Sequence, residues 1–332
     1  MDPVALARAI SDDVLFPGAL EVDAADIVPV ERLNRLANAG LYGLAGPAGA
    51  HGMGLTDMTT GLEIIEIVAG GCLTTAFVWV QHHGAVRALT EAGSSRLRDE
   101  FLEPMCRGAV RAGVAFSGLR RPGPPELAAA PVPGGWRFNG TAPWVTGWGR
   151  IDVLRAAARR EDGDIVWALI DARGSDSLRA ERLHLAAVNA SATVTLSFRD
   201  HFVGDDRVIA IQPFDEWLTR DQAGLRLNGS LALGVGARCA SLLENATLRD
   251  AVTACRVALD RASPDEMPAA RAGASELALL AATTLVVTGG GRSITLDHHA
   301  QRLAREALFL LVFGQTASIK GAQLDRLGRI PC

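Results

Sequence analysis

Apolar residues recur at helical spacing in Val28 to Leu36, Leu62 to Ala69 and Phe77 to Leu89, so residues 1 to about 112 read as packed helices. Gly40 to Pro47 and His51 to Gly54 are rich in helix breakers and separate these runs, with Asp57 placed as the N-cap of the next helix. From about Ala112 to Ile211 the period changes. Short β-branched and aromatic runs take over: Val114 to Phe116, Trp136 to Phe138, Trp144 to Thr146, Val153 to Ala156, Ile165 to Ile170, and Thr193 to Phe198. The last alternates strictly, which predicts one buried and one wet face. Pro131 to Gly135, Asn139-Gly140 and Glu161 to Gly163 predict tight reversals. Beyond Trp217 long helical patterns return in Leu225 to Ala246, Leu248 to Ala262, Met267 to Val287 and Ala300 to Leu327. The predicted class is α+β, with a helical domain over 1–112, a β-barrel or sheet domain over 113–215 and a carboxy-terminal helical bundle over 216–332.

The 332 residues are 48% hydrophobic, with mean hydropathy +0.17, enough for a large core. A net charge of −4 with interspersed signs offers no basic field for nucleic acid. Cys72, Cys106, Cys239, Cys255 and Cys332 are odd in number and scattered, which predicts reduced, packed thiols in a cytoplasmic protein. The acidic start Met1-Asp2-Pro3 lacks the basic and apolar regions of a leader. Leu36 to Thr56 and Ile67 to Val86 are uncharged, but glycines and Pro47 break the first and Gln81-His82-His83 interrupts the second, so no membrane span is expected. His298-His299 has no zinc-motif spacing, and no metal site is expected. Gly289-Gly290-Gly291 lacks the preceding strand of a dinucleotide fingerprint and reads as a helix stop. Arg302, Arg305 and Glu306 read as a salt-bridged helix face of modest energetic value.

One constellation goes further. Val114-Ala115-Phe116-Ser117, Trp136 to Gly140 and Trp144-Val145-Thr146 together resemble the flavin-facing strands of the acyl-CoA dehydrogenase family. Ala39 to Leu44 resembles that family's "GLxGL" entry, and Phe101-Leu102-Glu103-Pro104 its approach to the sheet. Gly289-Gly290 before Arg305-Glu306-Ala307 resembles "GGxGY...RDA", and Phe313-Gly314-Gln315-Thr316 stands in the place of "YEGT". The resemblance implies a flavin, with Trp144 packed on its ring, Thr146 at its N5 edge, and Ser117, Gly289, Gly290 and Thr316 as further cofactor contacts. It also implies oxidation of the CH–CH group of an acyl thioester, and association through the bundle.

The same resemblance marks departures. Gly314 occupies the position of the proton-abstracting Glu, and Gly224 the alternative position used by some relatives, with Asp221 one helical turn away. Desaturation removes an α-proton as hydride leaves the β-carbon, and a positioned base contributes about 10²- to 10⁴-fold. The flavin only accepts hydride. The family's diphosphate-binding loop is replaced by Ser117 to Pro124, where Arg120 or Arg121 offers charge to a phosphate instead. Asn245 to Arg249 also leaves no room for the "RxxFG" hairpin that clasps the flavin of a neighbouring subunit. FAD held weakly or differently, FMN, or no flavin are all compatible with that text. Three functions stay open: a flavin-dependent acyl thioester oxidoreductase, a catalytically inactive subunit paired with a longer paralogue, or a reduced-flavin monooxygenase using His82 or His83. Association is expected either with copies of itself or with that paralogue.

Overall fold

The computed structural model describes residues 2–55, 57–121, 123–221 and 224–328. Its first module holds six α-helices: α1 (Pro3–Ile10), α2 (Ala19–Ala24), α3 (Val30–Asn38), α4 (Thr59–Gly71), α5 (Leu73–Ala92) and α6 (Ser95–Cys106). The N-cap of α4 is Met58 and not the expected Asp57, which stands one residue earlier with its carboxylate accepting from the Thr59 amide at 2.7 Å. The apolar run Ile67 to Val86 is not one helix, because Cys72 is extended and splits α4 from α5.

Eight strands follow: β1 (Ala112–Ala115), β2 (Leu127–Val132), β3 (Gly135–Val145), β4 (Val153–Arg159), β5 (Ile165–Asp171), β6 (Leu178–Arg182), β7 (Val194–Gly204) and β8 (Val208–Gln212). They form one sheet in the order β6-β7-β3-β2-β4-β5-β8, with β1 pairing parallel to β4. Its inner face packs Phe138, Leu154, Val166 and Leu196, and its outer face packs Trp167 and Ala157 beneath α5 and α6. β7 begins with the predicted in-out alternation. The turns at Pro133-Gly134 and around Gly163 form where expected, both glycines at positive φ.

Asn139-Gly140 is not a turn. β3 continues through it, with a register shift against β7 between Phe138 and Gly140. Gly140 sits at φ +122°, and a Cβ there would lie 2.1 Å from the Glu126 carbonyl, so the glycine serves a bulge pressed against the chain entering β2. β2 and β6 escape the sequence reading because Ala-rich or charged strands show little β-propensity and pairing partners decide their fate, whereas β8, Val-Ile-Ala-Ile-Gln, carries the β-branched signal and is simply overlooked by it.

The carboxy-terminal elements are α7 (Phe214–Asp221), α8 (Gly224–Leu242), α9 (Ala246–Arg261), α10 (Met267–Gly289), α11 (His299–Val312) and α12 (Ala317–Leu327). The single run expected over Ala300 to Leu327 is thus two helices, broken at Phe313 to Thr316. α8 and α9 are joined directly, with Asn245 capping α9 through the Leu248 amide. α4 and α8 cross at Gly70 and Gly234, where a Cβ on Gly234 would be 2.2 Å from the Glu66 carbonyl. At that seam buried Glu66 accepts from Arg256 Nε at 2.8 Å with Arg226 3.6 Å away. Burial raises the carboxyl's pKa against the pull of both arginines.

Arg302 and Glu306 also differ from expectation. They form a buried pair at 2.6 Å rather than a solvated face, while Arg305 reaches Asp23 of α2. Helical spacing alone cannot tell a buried pair from a wet one. Cys72, Cys106 and Cys239 are buried free thiols and Cys255 is partly buried; Cys332 lies outside the described residues. Among the described residues one helical run, Met267–Ile294, is long and apolar enough to cross a bilayer by length and composition. It packs on α8, α9, α11 and α12 and carries the buried Arg271.

Candidate functional site

β3 ends in a distortion that sets the site. Ala142 pairs with Leu196 and Val145 with Val194, so β3 carries one extra residue there and Trp144 takes φ +60°. A left-handed conformation costs a non-glycine residue about 1–2 kcal/mol. Residues two apart on a regular strand share a face; here the bulge sends them apart. The Trp144 indole is 50% exposed, whereas Thr146 is 3% exposed. Thr146 Oγ1 lies 3.3 Å from Thr193 Oγ1, which lies 2.8 Å from Ser191 Oγ, making a buried line of three hydroxyls beside the indole's strand. Ser117 Oγ donates to the Pro143 carbonyl at 2.5 Å, tying the end of β1 to the residue before Trp144. Ser117, Trp144 and Thr146 are thereby brought into one neighbourhood.

α5 forms the wall behind it. His82 Nδ1 accepts from the Ala112 amide at 3.0 Å and its Nε2 donates to the Met105 carbonyl at 3.1 Å, which fixes the neutral tautomer. Burial holds its pKa down at about 3. His83, 5% exposed, stands edge-on to Trp79 with both ring nitrogens unpartnered, and burial drives its pKa well below the ordinary value. One turn earlier, Phe77 packs edge-to-face on Phe309 and Phe313. A Cβ on Gly147 would lie 3.2 Å from the adjacent Val78. Two consecutive residues of α5 therefore touch the bundle turn and the strand end.

The bundle turn is Phe313 to Thr316. Buried Arg271 donates to Ser275 Oγ and to the carbonyls of Leu310 at 3.2 Å and Phe313 at 3.4 Å, so a guanidinium with no carboxylate partner caps the last turn of α11. That placement complements the helix dipole, and burial pulls the Arg271 pKa down to about 10, still cationic at neutral pH. Gly314 follows at φ +61°, and a Cβ there would lie 2.6 Å from Asn228 Nδ2. Thr316 caps α12, its hydroxyl accepting from the Ile319 amide at 3.2 Å. Gly224 opens α8 with empty space around it. Asp221, at the end of α7, is held in a two-pronged ion pair with Arg120 at 2.5 and 2.6 Å, and Arg121 is spent on Glu126.

Gly289 and Gly290 close α10 on an exposed end, Gly290 at φ +62°, as a helix stop. They pack with α11 and the rest of the bundle, apart from the Ser117, Trp144 and Thr146 neighbourhood. His298 caps α11 through the Ala300 amide. Sequence reasoning missed Asn228, Arg271 and the Arg120–Asp221 pair. The only signal for Arg271 was a lone cation in an otherwise apolar helix.

The Acyl-CoA dehydrogenase, N-terminal domain family model matches residues 4–109. The chain is 26% identical over 260 residues to 3-sulfinopropanoyl-CoA desulfinase of Advenella mimigardefordensis, covering 70% of this chain and 62% of that protein. It is 26% identical over 151 residues to mitochondrial isobutyryl-CoA dehydrogenase of Bos taurus, covering 44% of this chain and 35% of the relative. The matches thus span under two thirds of the curated relatives' lengths. Butyryl-CoA dehydrogenase from Megasphaera elsdenii superposes with TM-score 0.84 at 17% identity over 99% of this chain and 97% of the other. Residues 4–109 thus match an acyl-CoA dehydrogenase N-terminal domain, and the chain as a whole has the acyl-CoA dehydrogenase fold. The named relatives act on acyl-CoA compounds, two as dehydrogenases and one as a desulfinase, and the helical, sheet and helical parts here follow the same fold.

Proposed function

We propose that this chain is the base-less subunit of a flavin-dependent acyl thioester oxidoreductase, paired with a longer relative that carries the carboxylate. The observation that carries the reading is the turn at Gly314. A glutamate there meets a left-handed backbone and the Asn228 amide at once, and Asp221, the substitute the sequence offers, is paired with Arg120.

The residues of the strand end suit a flavin. A strained, half-exposed indole beside a buried hydroxyl offers a platform for a planar ring and a group for its polar edge, and strain of this kind concentrates at ligand sites. Trp144 would hold the ring and Thr146 its edge, with Ser117 fixing the bulge; the bound group would supply hydride acceptance. FAD is the cofactor of this reading, with FMN as the shorter alternative. The short α8–α9 connection leaves this chain nothing with which to clasp a flavin in its neighbour. The monooxygenase alternative needs a free histidine: His82 is committed to two backbone groups, whereas His83 is buried with both ring nitrogens unpartnered.

Association is supported by the bundle's outer face. Leu280, Val287, Ile294, Leu296, Leu308 and Val312 of the bundle are all exposed, Leu296 by 80%, and exposed apolar residues in such number favour an interaction surface. Co-expression with a longer relative bearing a carboxylate at the Gly314 register should give a hetero-oligomer that bleaches with butyryl-CoA under anaerobic conditions. Vigorous dehydrogenation by the homo-oligomer alone overturns the reading.

A further inference from the structure

Asn228 lies four residues into α8, partly buried, and its carboxamide makes no hydrogen bond to any other described residue. It points at the space that Gly314 leaves, 2.6 Å from where a side chain there would begin. An amide has the size and hydrogen-bonding reach of a carboxylate but takes up no proton near neutral pH. Arg271 of α10 ties down the start of that turn by donating to the carbonyls of Leu310 and Phe313.

We infer that Asn228 is the group facing the acyl α-carbon in this chain, hydrogen-bonding a bound acyl thioester where a carboxylate would deprotonate it. The inference rests on the reading of the chain as an acyl thioester binder. Asn228 is then a specificity residue: it lets the site retain a saturated thioester without committing it to chemistry. It also accounts for Gly314, since the amide fills the volume that a side chain at 314 would need.

The test is an isosteric exchange, Asn228→Asp, in the full-length protein saturated with butyryl-CoA in D2O. The introduced carboxylate takes the α-proton, the C–H electron pair passing into the thioester as an enolate; the carboxyl exchanges with solvent and returns a deuteron to carbon. No oxidant or flavin is consumed. Mass spectrometry of recovered butyryl-CoA should show α-deuterium entering at least about 10²-fold faster than with the wild-type chain, the lower end of a general base's contribution. Asn228→Ala, which adds no charge, should weaken butyryl-CoA binding by about 2- to 10-fold, the net worth of one hydrogen bond. Calorimetric affinity unchanged in the Ala variant, or binding by the Asp variant without exchange above wild type, overturns the assignment to Asn228 alone. Failure of the wild-type chain to bind butyryl-CoA at all overturns the thioester reading and this inference with it.

Discussion

The strand end and the bundle turn meet on adjacent residues of α5, yet they are built by opposite rules. At the strand end a large side chain is kept in a costly conformation: Trp144 holds φ +60° although glycine would sit there freely. At the bundle turn the left-handed position is given to a glycine and the last α11 carbonyls are capped by Arg271, so the turn is relaxed and chemically mute.

The wall common to both halves is where the largest effect is expected. His82 and His83 are buried neutral, with His82 at about 3 against an ordinary 6.5. The unfolded chain therefore binds more protons, and stability is complete above about pH 6.5 and falls as pH drops toward 3. The slope approaches ~1.4 kcal/mol per pH unit for each group. Urea midpoints across that window check it, and His82→Gln should flatten the curve; an unchanged slope would mean that the wall is not what acid attacks.

Gly314→Glu comes next. It forces a left-handed side chain into the Asn228 amide and should cost about 2–4 kcal/mol by denaturant melting. A tolerated glutamate would erase the contrast between the two halves. Thr146→Val should cost about 1 kcal/mol for the lost contact to Thr193 and weaken flavin binding in a fluorescence titration. Trp144→Gly is the smallest in stability and the sharpest in meaning. Relief of strain should leave the fold unchanged or more stable by about 1 kcal/mol, while flavin retention is lost. A stable variant that keeps its flavin would put the functional weight elsewhere.

The order helix, sheet, helix was legible because periods of 3.6 and 2 survive in the strongly apolar segments. It failed where tertiary contacts decide. β2 is alanine and proline held between two neighbours, and Asn139-Gly140 has turn chemistry that the Glu126 carbonyl turns into a bulge. On the site side, the strand end was visible through Trp144-Val145-Thr146, and the glycine at 314 could be read directly. What sequence could not supply was why that glycine stays. Asn228 is 86 positions away in the chain and carries no motif; only the crossing of α8 with the turn reveals it. Arg120 and Asp221 were each noticed, but as an anion contact and a spare base, and their mutual pairing cancels both roles.

Phe77 and Val78 make α5 a spacer of fixed length. One helical step sets how far the aromatic cluster at Phe313 stands from the backbone beside Thr146. A molecule wedged between them pushes on a single rod whose far side is pinned by His82 to β1 and to α6. The spacing between those two contacts is therefore set by the helix itself and not by either loop.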